Sequence, residues 1–140
     1  MKKILHAIIT IIISIAMLSL VGCGGNNLVI KETDTYIVIT ASNEQMQINS
    51  DTTLVDYMNS LKEDNKLDFE IKGGMINSVN GIENPIDYSS CWMLYTNDTE
   101  NSNSAETIEY KGNTYGSAVL GVESLIIKDG YLYIWVYQTF

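Results

Sequence analysis

The chain predicts an α+β fold in which a mostly antiparallel sheet packs on one helix, and three observations carry that expectation. Only one segment, beginning near Thr53, has a helical hydrophobic period. Around it lie several short runs rich in β-branched and aromatic residues, the longest being Tyr131 to Tyr137. Between those runs stand turn signals such as Gly73-Gly74, Asn80-Gly81 and Lys128-Asp129-Gly130.

The first 22 residues predict a leader rather than part of that fold. Lys2 and Lys3 precede an apolar run from Ile4 to Val21, broken only by His6, Thr10, Ser14 and Ser19, which is the pattern of a secretory signal peptide. The run is short for a relaxed membrane span and ends without a basic flank. Its end, Leu20-Val21-Gly22-Cys23, resembles the lipobox of bacterial lipoproteins. That resemblance implies cleavage before Cys23, attachment of a diacylglyceryl group to its sulfur, lipid modification that includes palmitate, and display at the extracytoplasmic face of the cell membrane. The alternative is an uncleaved anchor, which leaves the domain on the same side. Residues 23–30 are expected to form the lipidated cysteine and a flexible tether, and residues 31–140 one domain.

Cleavage narrows the chemistry. The only histidine, His6, is lost, and the chain contains no arginine. Two of the 8 lysines also go, so 6 lysines face 17 carboxylates and the net charge becomes 6 − 17 = −11. Such a surface argues against nucleic acid and against docking on anionic headgroups. Without histidine or arginine there is no His-activated nucleophile and no zinc ligand set, so a non-catalytic protein without a cofactor is expected. With Cys23 acylated, Cys91 has no disulfide partner; a buried small hydrophobe fits it better than a reactive thiol, because no cation stands near it in sequence.

The elements follow in order. Tyr36 to Thr40 predicts the first strand, with Gln45 to Ile48 as a return strand. Leu54, Val55, Met58 and Leu61 then fall on one helical face, with Asp51 or Thr52 as the N-cap and Asp64-Asn65-Lys66 as the stop. Leu67, Phe69 and Ile71 alternate with Asp68, Glu70 and Lys72 as a half-buried strand, and Met75 to Val79 is another. Pro85 holds Asn84 away from helical angles on the path to Tyr88 and Trp92. Cys91 to Thr96 carries apolar groups on both faces and predicts either a central strand or one whose second face meets a ligand. Asn97 to Glu106 is polar and predicts a mobile loop, with solvated acids or a calcium site near Asp98, Glu100 and Glu106 as its two readings. A small hairpin about Lys111-Gly112-Asn113 follows, then the apolar Val119 to Ile127, and last the Tyr131 to Tyr137 strand. The sum is compatible with a β-grasp arrangement, in which the sheet wraps one helix.

From Thr53 onward the order of signals resembles the smaller, C-terminal domain of the cobalamin carriers transcobalamin and intrinsic factor and their bacterial relatives, the DUF4430 domains. The resemblance rests on Thr53-Leu54-Val55-Asp56, Leu67-Asp68-Phe69-Glu70, Ile76 to Ile82, Cys91-Trp92-Met93-Leu94 and Gly121-Val122-Glu123-Ser124, in that order. It implies a domain that covers one side of a corrinoid, cobalamin or a relative. The positions it implies for ligand contact are Trp92, Leu94, Tyr115, Gly116, Ser117, Ala118, Val119 and Leu120. Cys91 and Met93 depart from the family's aromatic and glutamine. The family's large helical domain is missing too, so a second protein or a second copy is expected to complete the cleft.

Two functions follow, from different classes. One is a membrane-tethered extracytoplasmic receptor for a small ligand, possible corrinoids included; the other is a surface-displayed module that binds protein or glycan. Trp92 serves as ligand platform in the first and core residue in the second, whereas Trp135 is expected in the core or on a sheet face. Tyr131, Tyr133 and Tyr137 offer either an exposed aromatic ladder or cross-strand packing.

Overall fold

The computed structural model describes residues 27–140; the expected signal peptide, Cys23 and residues 24–26 of the expected tether lie outside them. Among the described residues nine strands and one helix are formed: β1 (Val29–Thr33), β2 (Tyr36–Thr40), α1 (Leu54–Glu63), β3 (Phe69–Lys72), β4 (Met75–Val79), β5 (Ile82–Glu83), β6 (Ser90–Thr96), β7 (Ser102–Tyr110), β8 (Asn113–Ala118) and β9 (Leu132–Thr139). All strand pairs are antiparallel, and the class is α+β. Six strands form one sheet in the order β1-β2-β9-β6-β8-β7, and three form a second in the order β3-β4-β5.

Helix α1 starts where a side chain can take its first free N–H groups. Thr53, one or two residues after the expected cap, accepts from the Asp56 N–H through its Oγ1, and Asp56 accepts from the Thr53 N–H at 3.0 Å, a reciprocal capping box. The buried face is Leu54, Tyr57, Met58 and Leu61. Val55, expected there, is only half-buried, and Tyr57 takes its place because its hydroxyl has partners inside. That hydroxyl donates to Thr40 O at 2.9 Å and accepts from Ser42 N at 3.0 Å, tying the helix to the end of β2. Tyr57→Phe keeps the packing but leaves the Ser42 N–H without its acceptor, so we expect a loss of about 1–3 kcal/mol, readable in a far-UV dichroism melt. The helix stops at Asp64, and Asn65 turns the chain with φ +57°.

One core joins helix and sheets. Leu54, Met58 and Leu61 meet Ile37, Ile39, Trp92, Leu94, Tyr133 and Trp135 from one face of the large sheet, and Phe69, Ile76 and Val79 from the small one. The helix and the small sheet are thus a second layer on the large sheet. Full burial of each such aliphatic side chain contributes about 1.5–3 kcal/mol. The opposite face holds a smaller cluster of Val38, Tyr95, Tyr115 and Ile134. This face is concave: the outermost strands approach each other, with Tyr110 Oη donating to Glu32 Oε1 at 2.6 Å and the Tyr36 and Tyr110 rings stacked at 5.9 Å.

Two-residue hairpins set the register. Asn80-Gly81 and Lys111-Gly112 take positive φ at both central positions, the twist that matches flanking strands. β6 lies between β9 and β8, the central place its two apolar faces predict.

Three expectations need correction. β1 begins inside the segment assigned to the tether: Val29 and Ile30 pair with Ile39 and Val38, and Leu28 is buried. The partner of β2 in the leading hairpin is therefore β1, and Gln45 to Ile48 is not a strand. There, backbone N–H groups are taken by side chains instead, as in Ile48 N to Asn43 Oδ1 at 2.8 Å. The second half of the polar insert, from Ser102 on, is ordered as part of β7, and Asp98, in the first half, is among the most buried polar residues. Of the two readings of the tyrosine face of the last strand, packing is the one found: Tyr133 is fully buried and Tyr131 and Tyr137 pack against the main core.

Asp98 explains why a polar loop is fixed. Its carboxylate accepts from Lys128 Nζ at 2.9 Å and Asn101 Nδ2 at 2.8 Å, and Lys128 also pairs with Glu100. Burial works against the charged carboxyl, but these bonds outweigh it and hold Asp98 below the usual aspartate range. Two of the three acids weighed for calcium, Asp98 and Glu100, are therefore engaged with a lysine, and the third, Glu106, accepts from Ser117 Oγ. Among the described residues no group of three or more histidine, cysteine or acidic side chains is arranged to hold a metal ion.

Candidate functional site: an apolar groove beside Trp92

A groove of about 400 Å³ opens where β6 parts from β8. The two strands pair only at Tyr95 and Thr96, after which the chain from Ala118 runs away from β6 through Val119, Leu120, Gly121 and Val122. The far wall is Gly74, Met75 and Ile76 from the small sheet, with Asn84 and Tyr88. Trp92, Leu94 and Trp135 border it as buried residues of the large sheet, and Cys91 and Met93 complete it. No charged residue borders the groove.

Asn84 latches the far wall to the sheet. The proline after it disfavours helical angles, so its backbone stays extended and its amide can reach across. Its Nδ2 donates to Ile76 O at 2.8 Å, while its Oδ1 accepts from the Trp92 N–H at 3.0 Å. Trp92 adds a second tie, Nε1 to Ile82 O at 2.8 Å, and its ring meets Tyr137 edge-on at 5.4 Å. Trp92 is therefore both a core residue, 5% exposed, and part of the groove. Trp135 is equally buried, yet its Nε1 has no acceptor.

Cys91 is half-buried, its Sγ 3.6 Å from Met93 Sδ. Burial pushes the thiol pKa up, so it stays protonated at neutral pH and is a poor nucleophile.

Of the positions the resemblance implies, Trp92, Leu94, Ala118, Val119 and Leu120 come together at the groove, and Tyr115, Gly116 and Ser117 do not. Strand alternation is the reason for two of them. Tyr115 and Ser117 share the opposite sheet face, where Tyr115 meets Tyr110 and Ser117 Oγ donates to Glu106 Oε2 at 3.1 Å. Gly116 serves a close approach instead, because a Cβ there would stand 2.8 Å from Asn103 O in β7. The far wall is not among the ligand positions the resemblance implies. Its one legible trace is Met75, an apolar residue beside a glycine turn that proves 55% exposed.

Six large apolar side chains are exposed among the described residues, and four of them, Met75, Tyr88, Val119 and Leu120, border this groove. Tyr88 is held there with φ +52°, a conformation uncommon for a bulky residue. The arrangement supplies apolar area and aromatic edges and no acid, base or nucleophile poised for reaction. No helix among the described residues is long and apolar enough to cross a membrane. No family model, curated protein or solved structure matches the chain.

Proposed function

We propose that this protein is a non-catalytic, membrane-tethered extracytoplasmic lipoprotein that binds a small amphipathic ligand in the groove beside Trp92. The observation that carries this reading is the gathering of four exposed large apolar side chains around one uncharged groove. Soluble domains seldom leave such area uncovered without a partner for it. A corrinoid is the ligand that the sequence resemblance to transcobalamin-like domains suggests, and a β-grasp arrangement is the finer fold that goes with it. The groove would cover only part of so large a ligand, consistent with a second protein or second copy closing over the rest.

Calorimetric titration of residues 24–140 with cobalamin tests the corrinoid reading. Saturable heat is expected, and Leu120→Asp should weaken binding about tenfold by placing a charge in the apolar contact. Absence of heat from the folded protein would remove corrinoids as the ligand.

The second reading, a protein- or glycan-interaction module, is favoured by one observation: Ile86 is fully exposed beside Tyr88 but outside the groove.

A further inference from the structure

The apolar surface extends past the groove. Ile86 follows Pro85 in the loop that carries Tyr88 and is 100% exposed. Phe140, 72% exposed, is held against the same loop by its N–H, which donates to Ser89 O at 2.9 Å. All six exposed large apolar side chains are thus tied to the groove or to the loop beside it.

Carboxylates stand around this surface. Asp87 lies between Ile86 and Tyr88, Glu83 immediately precedes Asn84, and Glu123 reaches Gly74, its Oε2 3.8 Å from where a Cβ on that glycine would sit. All three are exposed, and none is in an ion pair, whereas five of the lysines are paired elsewhere. Among the described residues Lys72, two residues before Gly74, is the one lysine left to offset them. An uncharged apolar centre with an unneutralised acidic rim complements an apolar segment with basic flanks.

One further feature fits polypeptide. On the side where β8 departs, β6 has no strand partner from Ser90 to Leu94, although Asn84 Oδ1 already takes the Trp92 N–H there.

We propose that the surface from Leu120 across Tyr88 to Ile86 and Phe140 docks an extended polypeptide segment with apolar side chains flanked by lysine or arginine. The proposal rests on the groove being a binding surface, and it does not require the corrinoid.

The test uses the full chain in phosphatidylcholine nanodiscs, with empty nanodiscs as the blank, and two labelled ten-residue probes, one alternating leucine with lysine and one alternating leucine with glutamate. Fluorescence anisotropy should show saturable binding of the lysine probe and at least about tenfold weaker binding of the glutamate probe. Ile86→Asp, at a side chain that supports no packing, should weaken the lysine probe severalfold and leave the melting temperature unchanged. Neutralising the rim (Glu83→Gln, Asp87→Asn, Glu123→Gln) should weaken it about fivefold and flatten its salt dependence, the sum of three exposed charge contacts. The control variant Glu44→Gln, Asp51→Asn, Glu63→Gln, away from the groove, should change it less than twofold. Equal losses from the two charge variants, equal binding of the two probes, or no effect of Ile86→Asp would each overturn the proposal. Ile86-dependent binding to phosphatidylglycerol vesicles would overturn it in favour of a lipid surface. If cobalamin titrates normally while the lysine probe fails, the groove stands as a ligand site and only the polypeptide is lost.

Discussion

Trp92→Ala should cost about 3–5 kcal/mol of folding stability, as large-to-small aromatic changes in a core do. The indole is 5% exposed and packs on Tyr137, and its Nε1 bond to Ile82 O joins the two sheets. Removing it empties the space between layers and leaves the Ile82 carbonyl without that donor. A domain of this size has only about 5–15 kcal/mol to lose, so urea unfolding should shift strongly. Trp92→Phe retains much of the ring packing and forfeits the hydrogen bond, so its cost should be near 1 kcal/mol. A loss under about 1 kcal/mol for the alanine variant would instead make Trp92 a surface platform. Ligand loss in Trp92 variants therefore confounds binding with folding, which is why Leu120 and Ile86 are the cleaner probes.

The second large effect concerns Asp98. Asp98→Ala strands Lys128 beside a polar hole, and we expect about 3 kcal/mol, the low end for breaking a buried pair because the lysine side chain is 36% exposed and partly screened. The pH dependence has a definite sign. The folded Asp98 carboxyl lies below the ordinary aspartate value of 3.8, so its stabilisation is fully present above that value and is lost as pH falls through the lower, folded value. Wild-type stability should fall on acidification below about pH 5, and Asp98→Asn should flatten that fall. Some slope should remain, since hydrogen bonds from Thr53 also hold Asp56 low. Urea midpoints measured from pH 3 to pH 7 would check this; equal slopes for wild type and variant would show that Asp98 does not set the acid limit.

The polar insert around Asp98 marks where sequence patterns ran out. Asn97 to Glu106 contains no core-forming residue, so periodicity had nothing to detect. What orders it is Lys128, which lies 30 residues away from Asp98 in the chain, together with the pairing of β7 with β8. Tyr57, not among the residues expected on the apolar face, is a related case: only Thr40 and Ser42, brought close by the fold, make the burial of its polar end favourable.

The sequence by itself determined the helix near Leu54, most of its strands, the tight turns at Asn80-Gly81 and Lys111-Gly112, and the central position of β6. These are local matters: a period of 3.6 or 2, a glycine that accepts positive φ and a cluster of β-branched residues act within a few positions of the chain. Only the tertiary structure decided that β1 rather than Gln45 to Ile48 completes the leading hairpin, that Tyr115 and Ser117 point away from Trp92, and that Met75, Tyr88 and Leu120 share one groove. The groove exists because β6 and β8 separate after two residue pairs while Asn84 fixes the small sheet opposite. A cavity is the space between elements, and its walls come from segments as far apart as Gly74 and Trp135, so it follows from how elements pack rather than from any one of them.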